Sequence, residues 1–151
     1  MKLYLETSIP NFLFADDAPE KQRITKMFFK EEAIKHEIFI SPLVITEIDK
    51  CPEPKRTRLN NVLKEMKPIL LSVTEEAVKL AKKYIEEGII PQKDSDDALH
   101  IGIATINNMD AIASWNMQHI VKLKTMVMVE EINKKLGYKD LIICTPEEVL
   151  G

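Results

Sequence analysis

Two kinds of apolar pattern alternate along this chain. Short apolar runs occur at 2–6, 37–41, 69–73, 111–114 and 141–144, each bounded by polar residues or proline, and their length predicts strands. Between them, apolar residues recur at helical spacing. A helix is predicted over 20–35, with Ile24, Phe28, Ala33 and Ile34 among its apolar positions. Another should start at Pro42, with Ser41 as its N-cap and Glu47 as the only charge inside its apolar run. Cys51-Pro52-Glu53-Pro54 ends it. Residues 55–66 form a basic amphipathic helix with Leu59, Val62, Leu63 and Met66 inward. A helix opening at Thr74-Glu75-Glu76-Ala77 runs to Glu87, where Gly88 fits the residue just past a helix end. A further helix covers 122–136, with Met126, Val129, Ile132 and Leu136 at helical spacing. Thr145-Pro146-Glu147-Glu148 starts a last, short one.

The densest signal is Lys93-Asp94-Ser95-Asp96-Asp97, followed at once by the apolar run Ala98, Leu99, Ile101, Ile103, Ala104 and Ile106. Asp94 or Ser95 can accept hydrogen bonds from the free N–H groups of a helix start. Acidic residues in a first turn suit the positive end of the helix dipole. Beyond Asp97 no polar face remains, so this helix is expected to be buried. Gly102 is costly inside a helix, which points to a second backbone packed close against it. Strands alternating with helices in this order predict an α/β fold, a central parallel sheet with helices on both faces.

Composition narrows the class without changing that picture. The 151 residues are 45% apolar and 30% charged, as in a soluble globular domain with its own core, and residues 1–151 are expected to form one domain. No apolar run reaches membrane-spanning length, and Met1 to Glu6 lack the features of a secretory leader. Cys51 and Cys144 have no metal spacing, so a reducing cytoplasmic setting is expected. The formal charge of −3 gives no general pull toward nucleic acid, so phosphate contacts must come from local patches. Lys21, Arg23, Lys26, Lys55, Arg56, Arg58 and Lys64 are the candidates.

In parallel sheets, ligands sit outside the carboxyl ends of the strands. Glu6 closes the first strand and Asn116 follows the fourth. A helix between parallel strands runs back against them, so its N-terminus lies on the same rim. Asp97 is in such a first turn, and Glu47 is in the second turn of the helix after strand two. Carboxylates held together resist ionising, and a hard dication such as Mg²⁺ or Mn²⁺ removes that penalty. Such ions activate water and neutralise charge in phosphoryl transfer. Other chemistries are poorly served. The chain has no glycine-rich phosphate loop, no G-x-S-x-G elbow, and no zinc-like pairing among His36, His100 and His119. His100 and His119 read as hydrogen-bonded structural residues.

With these positions in place the chain resembles the PIN-domain ribonucleases, VapC-type toxins in particular. The resemblance is carried in order by Tyr4-Leu5-Glu6-Thr7-Ser8, by Ser41-Pro42-Leu43-Val44-Ile45-Thr46-Glu47-Ile48, by Asp97-Ala98-Leu99-His100-Ile101-Gly102-Ile103-Ala104, and by Ser114-Trp115-Asn116-Met117-Gln118-His119-Ile120. It implies a PIN-like three-layer fold and Mg²⁺- or Mn²⁺-dependent cleavage of RNA by water. It also implies a cognate antitoxin and a homodimer. By the same resemblance Glu6, Asp97 and Asn116 hold metal, directly or through water, with Asp96 or Asp94 supplementing them. Glu47 orients the attacking water or the metal's hydration shell, and Ser8 supplies a supporting hydrogen bond. The family usually has Asp where this chain has Glu6. The extra methylene moves the carboxylate by about one bond length, so the alternative expectation is a weakened or inactive PIN-like module that binds RNA or protein.

Overall fold

The computed structural model describes residues 1–150. Its elements are β1 (Lys2–Leu5), α1 (Ser8–Asn11), α2 (Pro19–Met27), β2 (Glu37–Ile40), α3 (Pro42–Asp49), α4 (Lys55–Met66), β3 (Ile69–Leu70), α5 (Glu75–Glu86), α6 (Ser95–Ile106), β4 (Ala111–Ala113), α7 (Leu123–Lys135), β5 (Ile142–Cys144) and α8 (Pro146–Leu150). The strands form one five-stranded sheet in the order β3-β2-β1-β4-β5, and every pairing is parallel. The α/β architecture expected from the alternating pattern is therefore present.

β1 lies at the centre. Leu3, Tyr4 and Leu5 point to alternate faces, yet all three are fully buried, so helices cover the sheet on both sides. From β1 the chain steps outward through β2 to β3, then returns across to β4 and β5. The direction of winding therefore reverses between β1 and β4, where β1 pairs Leu5 with Ala113. The carboxyl ends of those two strands form the crevice at which such sheets bind ligands.

α5 packs against α6. At Gly102 a Cβ would lie 2.7 Å from the carbonyl oxygen of Ala77, so the close approach expected from that glycine is real. α6 is buried from Ala98 through Thr105, apart from partly exposed Leu99. Gly88 ends α5 with φ of +78°, a conformation glycine adopts without steric cost.

Several local expectations are corrected. The helix expected over 20–35 stays α-helical only to Met27, then widens into one π turn (Phe28–Glu32) and tightens into a 3-10 turn (Ala33–Lys35). The strand expected over 69–73 shortens to Ile69–Leu70, because it is an exposed sheet edge with only β2 to pair with. Thr7-Ser8-Ile9-Pro10 follows the first strand as the start of α1. Ser41 occupies the N-cap position of α3 without capping it, and Asp94 does the same for α6. Ser41 is occupied elsewhere, as described next.

Candidate active site

Glu6 is the first residue beyond β1, and its backbone N–H continues the ladder to the Ala113 carbonyl at 3.1 Å. Its side chain is buried, with 6% exposure. Two hydroxyls hold it by the same oxygen: Ser8 Oγ donates to Oε1 at 2.5 Å and Ser114 Oγ donates to it at 2.6 Å. Ser8 and Ser114 also accept from the backbone N–H groups of Trp115 and Asn116, at 2.8 and 2.9 Å. The β1 and β4 ends are thus stitched together around one glutamate oxygen. Oε2 has no donor among the described residues.

Glu47, on α3, is held in the same manner. Thr7 Oγ1 donates to Oε1 at 2.7 Å, and His100 Nε2 donates to it at 2.6 Å. Oε2 again has no donor among the described residues, and the side chain is 26% exposed. Burial raises the Glu47 pKa, but the hydrogen bond and charge of His100, with smaller help from Thr7 and Lys50, outweigh it and hold the carboxyl below its usual range. Burial likewise works against a charge on His100, and the hydrogen bond to Glu47 with the charges of Glu6, Glu47 and Asp97 overcomes it, raising the imidazole pKa. Both directions favour an ion pair.

Asp97 behaves oppositely. Burial first, then the charge of Glu6, push its pKa up to about 6, despite an opposing hydrogen bond from Asn116 and the nearby His100 and His119. Asn116 does more than add a fourth oxygen to the rim. Its Oδ1 accepts from the backbone N–H groups of Gln118 and His119, at 3.2 and 3.0 Å. Both lone pairs of that oxygen are then used, while the side chain as a whole opposes the rise in the Asp97 pKa. The structure therefore brings Glu6, Glu47, Asp97 and Asn116 to the carboxyl edge of the sheet, where the Glu6 charge acts on Asp97 and the buried His100 feels Glu6, Glu47 and Asp97 alike.

His119 reaches this rim as well. Its Nε2 lies 3.1 Å from Asp94 Oδ2, but off the direction of a hydrogen bond, which leaves that buried oxygen unpartnered. Asp94, Asp97 and His119 each offer one ligand atom, all within 4.8 Å of one another. This cluster has the donors to hold a metal ion. The sequence marked Asp94 only as a supplement and took His119 as structural; nothing in its spacing from Asp97 tells that a loop after β4 folds back over the start of α6.

Among the basic candidates, Arg23 pairs with Glu20 and Arg56 with Glu53, each an exposed pair three residues apart. Lys21 differs. Its ammonium sits 5.5 Å from the ring centre of Phe12 and 5.6 Å from that of Trp115, the residue before Asn116.

No protein-family model matches this chain, and no curated protein matches it. Solved structures do. A chain of VapBC2 from Rickettsia felis, bound to a promoter DNA fragment, aligns over 96% of this chain and 98% of its own, at TM-score 0.59 and 15% identity. A chain of DNA-bound VapBC from Salmonella typhimurium aligns over 97% and 98%, at TM-score 0.55 and 16% identity. The sarcin-ricin-loop-cleaving toxin VapC20 of Mycobacterium tuberculosis aligns over 73% and 86%, at TM-score 0.54 and 11% identity. The chain has the PIN-like fold of VapC toxins. The rim just described lies at the switch point between the central strand and β4. Among the described residues no helix is long and apolar enough to cross a membrane.

Proposed function

We propose that this protein is a divalent-metal-dependent endoribonuclease, hydrolysing RNA phosphodiester bonds as the toxin of a toxin–antitoxin pair. The reading rests on the convergence of Glu6, Glu47 and Asp97, remote in sequence, onto the rim between β1 and β4, with burial and the charge of Glu6 pushing the Asp97 pKa up to about 6. The donor set fits a hard dication: Glu6 keeps one oxygen free of protein donors, and Asp97 and Asp94 add carboxylates. His119 in the same cluster favours Mn²⁺ over Mg²⁺, since imidazole suits transition metals. When bound, such an ion supplies water activation and neutralises charge on the scissile phosphate. Asn116 acts chiefly by favouring the ionised form of Asp97, its own oxygen being occupied by backbone N–H groups. Glu47, through its free Oε2, orients the attacking water. Lys21, held over two rings beside the rim, is placed to meet a backbone phosphate of RNA. Arg insertion from a cognate antitoxin would suit the same acidic pocket, and a homodimer is part of the proposal.

The test is cleavage of RNA with Mg²⁺ or Mn²⁺ against a chelator control, beside the melting temperature as Mn²⁺ is added. Cleavage with either ion is expected. Mn²⁺ at 100 times its dissociation constant should stabilise the protein by about 2.7 kcal/mol, which reads out as a higher melting temperature. No cleavage and no shift together would overturn the reading.

The second reading, a binding module without catalysis, is favoured by Glu6 in place of the family's Asp. Glu6→Asp separates the two. If the site is active as built, shortening the side chain draws its oxygen away from Ser8 and Ser114, and cleavage falls about tenfold. A gain in cleavage instead would mark a site degraded by Glu6.

A further inference from the structure

His100 is fully buried and both its ring nitrogens are engaged. A carboxylate only accepts, so Nε2 carries a hydrogen toward Glu47 Oε1. Nδ1 lies 2.7 Å from the Tyr4 hydroxyl, and that hydroxyl lies 2.8 Å from Ser41 Oγ. Tyr4 is itself fully buried at the centre of the sheet. The series runs from Ser41 through Tyr4 and His100 to Glu47, joining β1, α3 and α6. We propose that His100, oriented by Tyr4, is a positioning residue that fixes Glu47 by one oxygen and leaves the other for the attacking water. This rests on the nuclease reading above.

Three features point to positioning beyond mere satisfaction of a buried imidazole. His100 stands three residues after Asp97 on α6, so one helix face carries both a metal-holding carboxylate and the anchor of a second one. Thr7 and His100 converge on the same Glu47 oxygen and no donor among the described residues takes the other, so the two bonds fix a flexible side chain in a single orientation. Ser41 gives up capping α3 to reach Tyr4, so the series is kept at the expense of a local hydrogen bond.

The experiment is a double-mutant cycle on full-length protein, using His100→Leu, Glu47→Gln and both together, with single-turnover RNA cleavage as one readout and the Mn²⁺ dissociation constant as the other. If His100 acts through Glu47, cleavage falls tenfold to a hundredfold in His100→Leu, and the double variant is no worse than Glu47→Gln. Additive losses would show a structural role and overturn the proposal. His100→Gln, which can place an amide N–H near the Nε2 position, should recover most of the loss. Tyr4→Phe, which keeps the buried ring, should cost threefold to tenfold, the loss of one ordinary hydrogen bond. It also closes a second cycle with Glu47→Gln should His100→Leu fail to fold. If the wild type cleaves no RNA, the nuclease reading falls, and the same cycle on Mn²⁺ affinity still decides. Equal, non-additive weakening supports positioning, and additive or absent effects overturn it.

Discussion

Asp97→Asn is expected to cut metal-dependent RNA cleavage by on the order of 10²-fold or more, and at the same time to raise the melting temperature of the metal-free protein. The two effects have one cause. Burial and the neighbouring Glu6 charge push the Asp97 pKa up to about 6, so at neutral pH the folded state holds a carboxylate that its surroundings oppose. Asn removes the charge while keeping the shape. With allowance for solvent screening of a partly exposed side chain, the gain is about 1–2 kcal/mol, or roughly 2–8 °C for a domain of this size. The sign follows from proton binding. The folded pKa lies above the ordinary 3.8, so the folded state holds more protons than the unfolded state across this window. The Asp97 contribution to stability therefore falls as pH rises from about 4 to 6, and stays low above that. Thermal melts of wild type and variant should nearly coincide near pH 4 and separate by pH 7, with the variant higher. Saturating Mn²⁺ should reverse the order, since the ion stabilises the ionised wild type. Equal melting temperatures at every pH would show that Asp97 feels no repulsion.

The second large effect lies in the packing beneath the site. Gly102→Ala would bring a Cβ to 2.7 Å of the Ala77 carbonyl oxygen and 3.5 Å of the Ala81 nitrogen, both backbone atoms of α5 that no rotamer change can move. Alanine regains about 1 kcal/mol of helix propensity over glycine. Overpacking against a rigid neighbour costs about 3 kcal/mol. The net loss is about 2 kcal/mol, seen as a fall of roughly 4–8 °C in melting temperature. Because Asp97 and His100 ride on α6, cleavage should drop alongside, through displacement of the helix and not of any side chain. A rise in melting temperature in Gly102→Ala would mean that α5 and α6 separate at little cost.

The rim itself was largely legible from the chain. Glu6 and Asn116 could be placed because each follows an apolar run that reads as a strand. Asp97 and Glu47 could be placed because each lies near the start of a helix that must return along such a strand. The hydrogen bonds around them were not legible. His100 and Ser114 sit inside or beside apolar stretches, and nothing in their spacing tells which oxygen they will meet. Ser41 looked like a cap, and its hydroxyl goes instead to Tyr4, because a buried phenol leaves few alternatives. Nor did the chain show that the Asn116 carbonyl closes a turn onto Gln118 and His119.

What the sequence by itself determined is the alternation of elements, and with it the edge of the sheet on which the acidic residues fall. Apolar period and helix-breaking residues are local properties, and the edge follows once the strands are parallel. Only the tertiary structure decided the surroundings of each carboxylate: Glu6 held by Ser8 and Ser114, Glu47 by Thr7 and His100, and Asp97 with Asp94 and His119 drawn in beside it. Those partners depend on donor atoms meeting within about 3 Å across separate elements, a distance that packing of the whole core sets and no stretch of chain encodes alone.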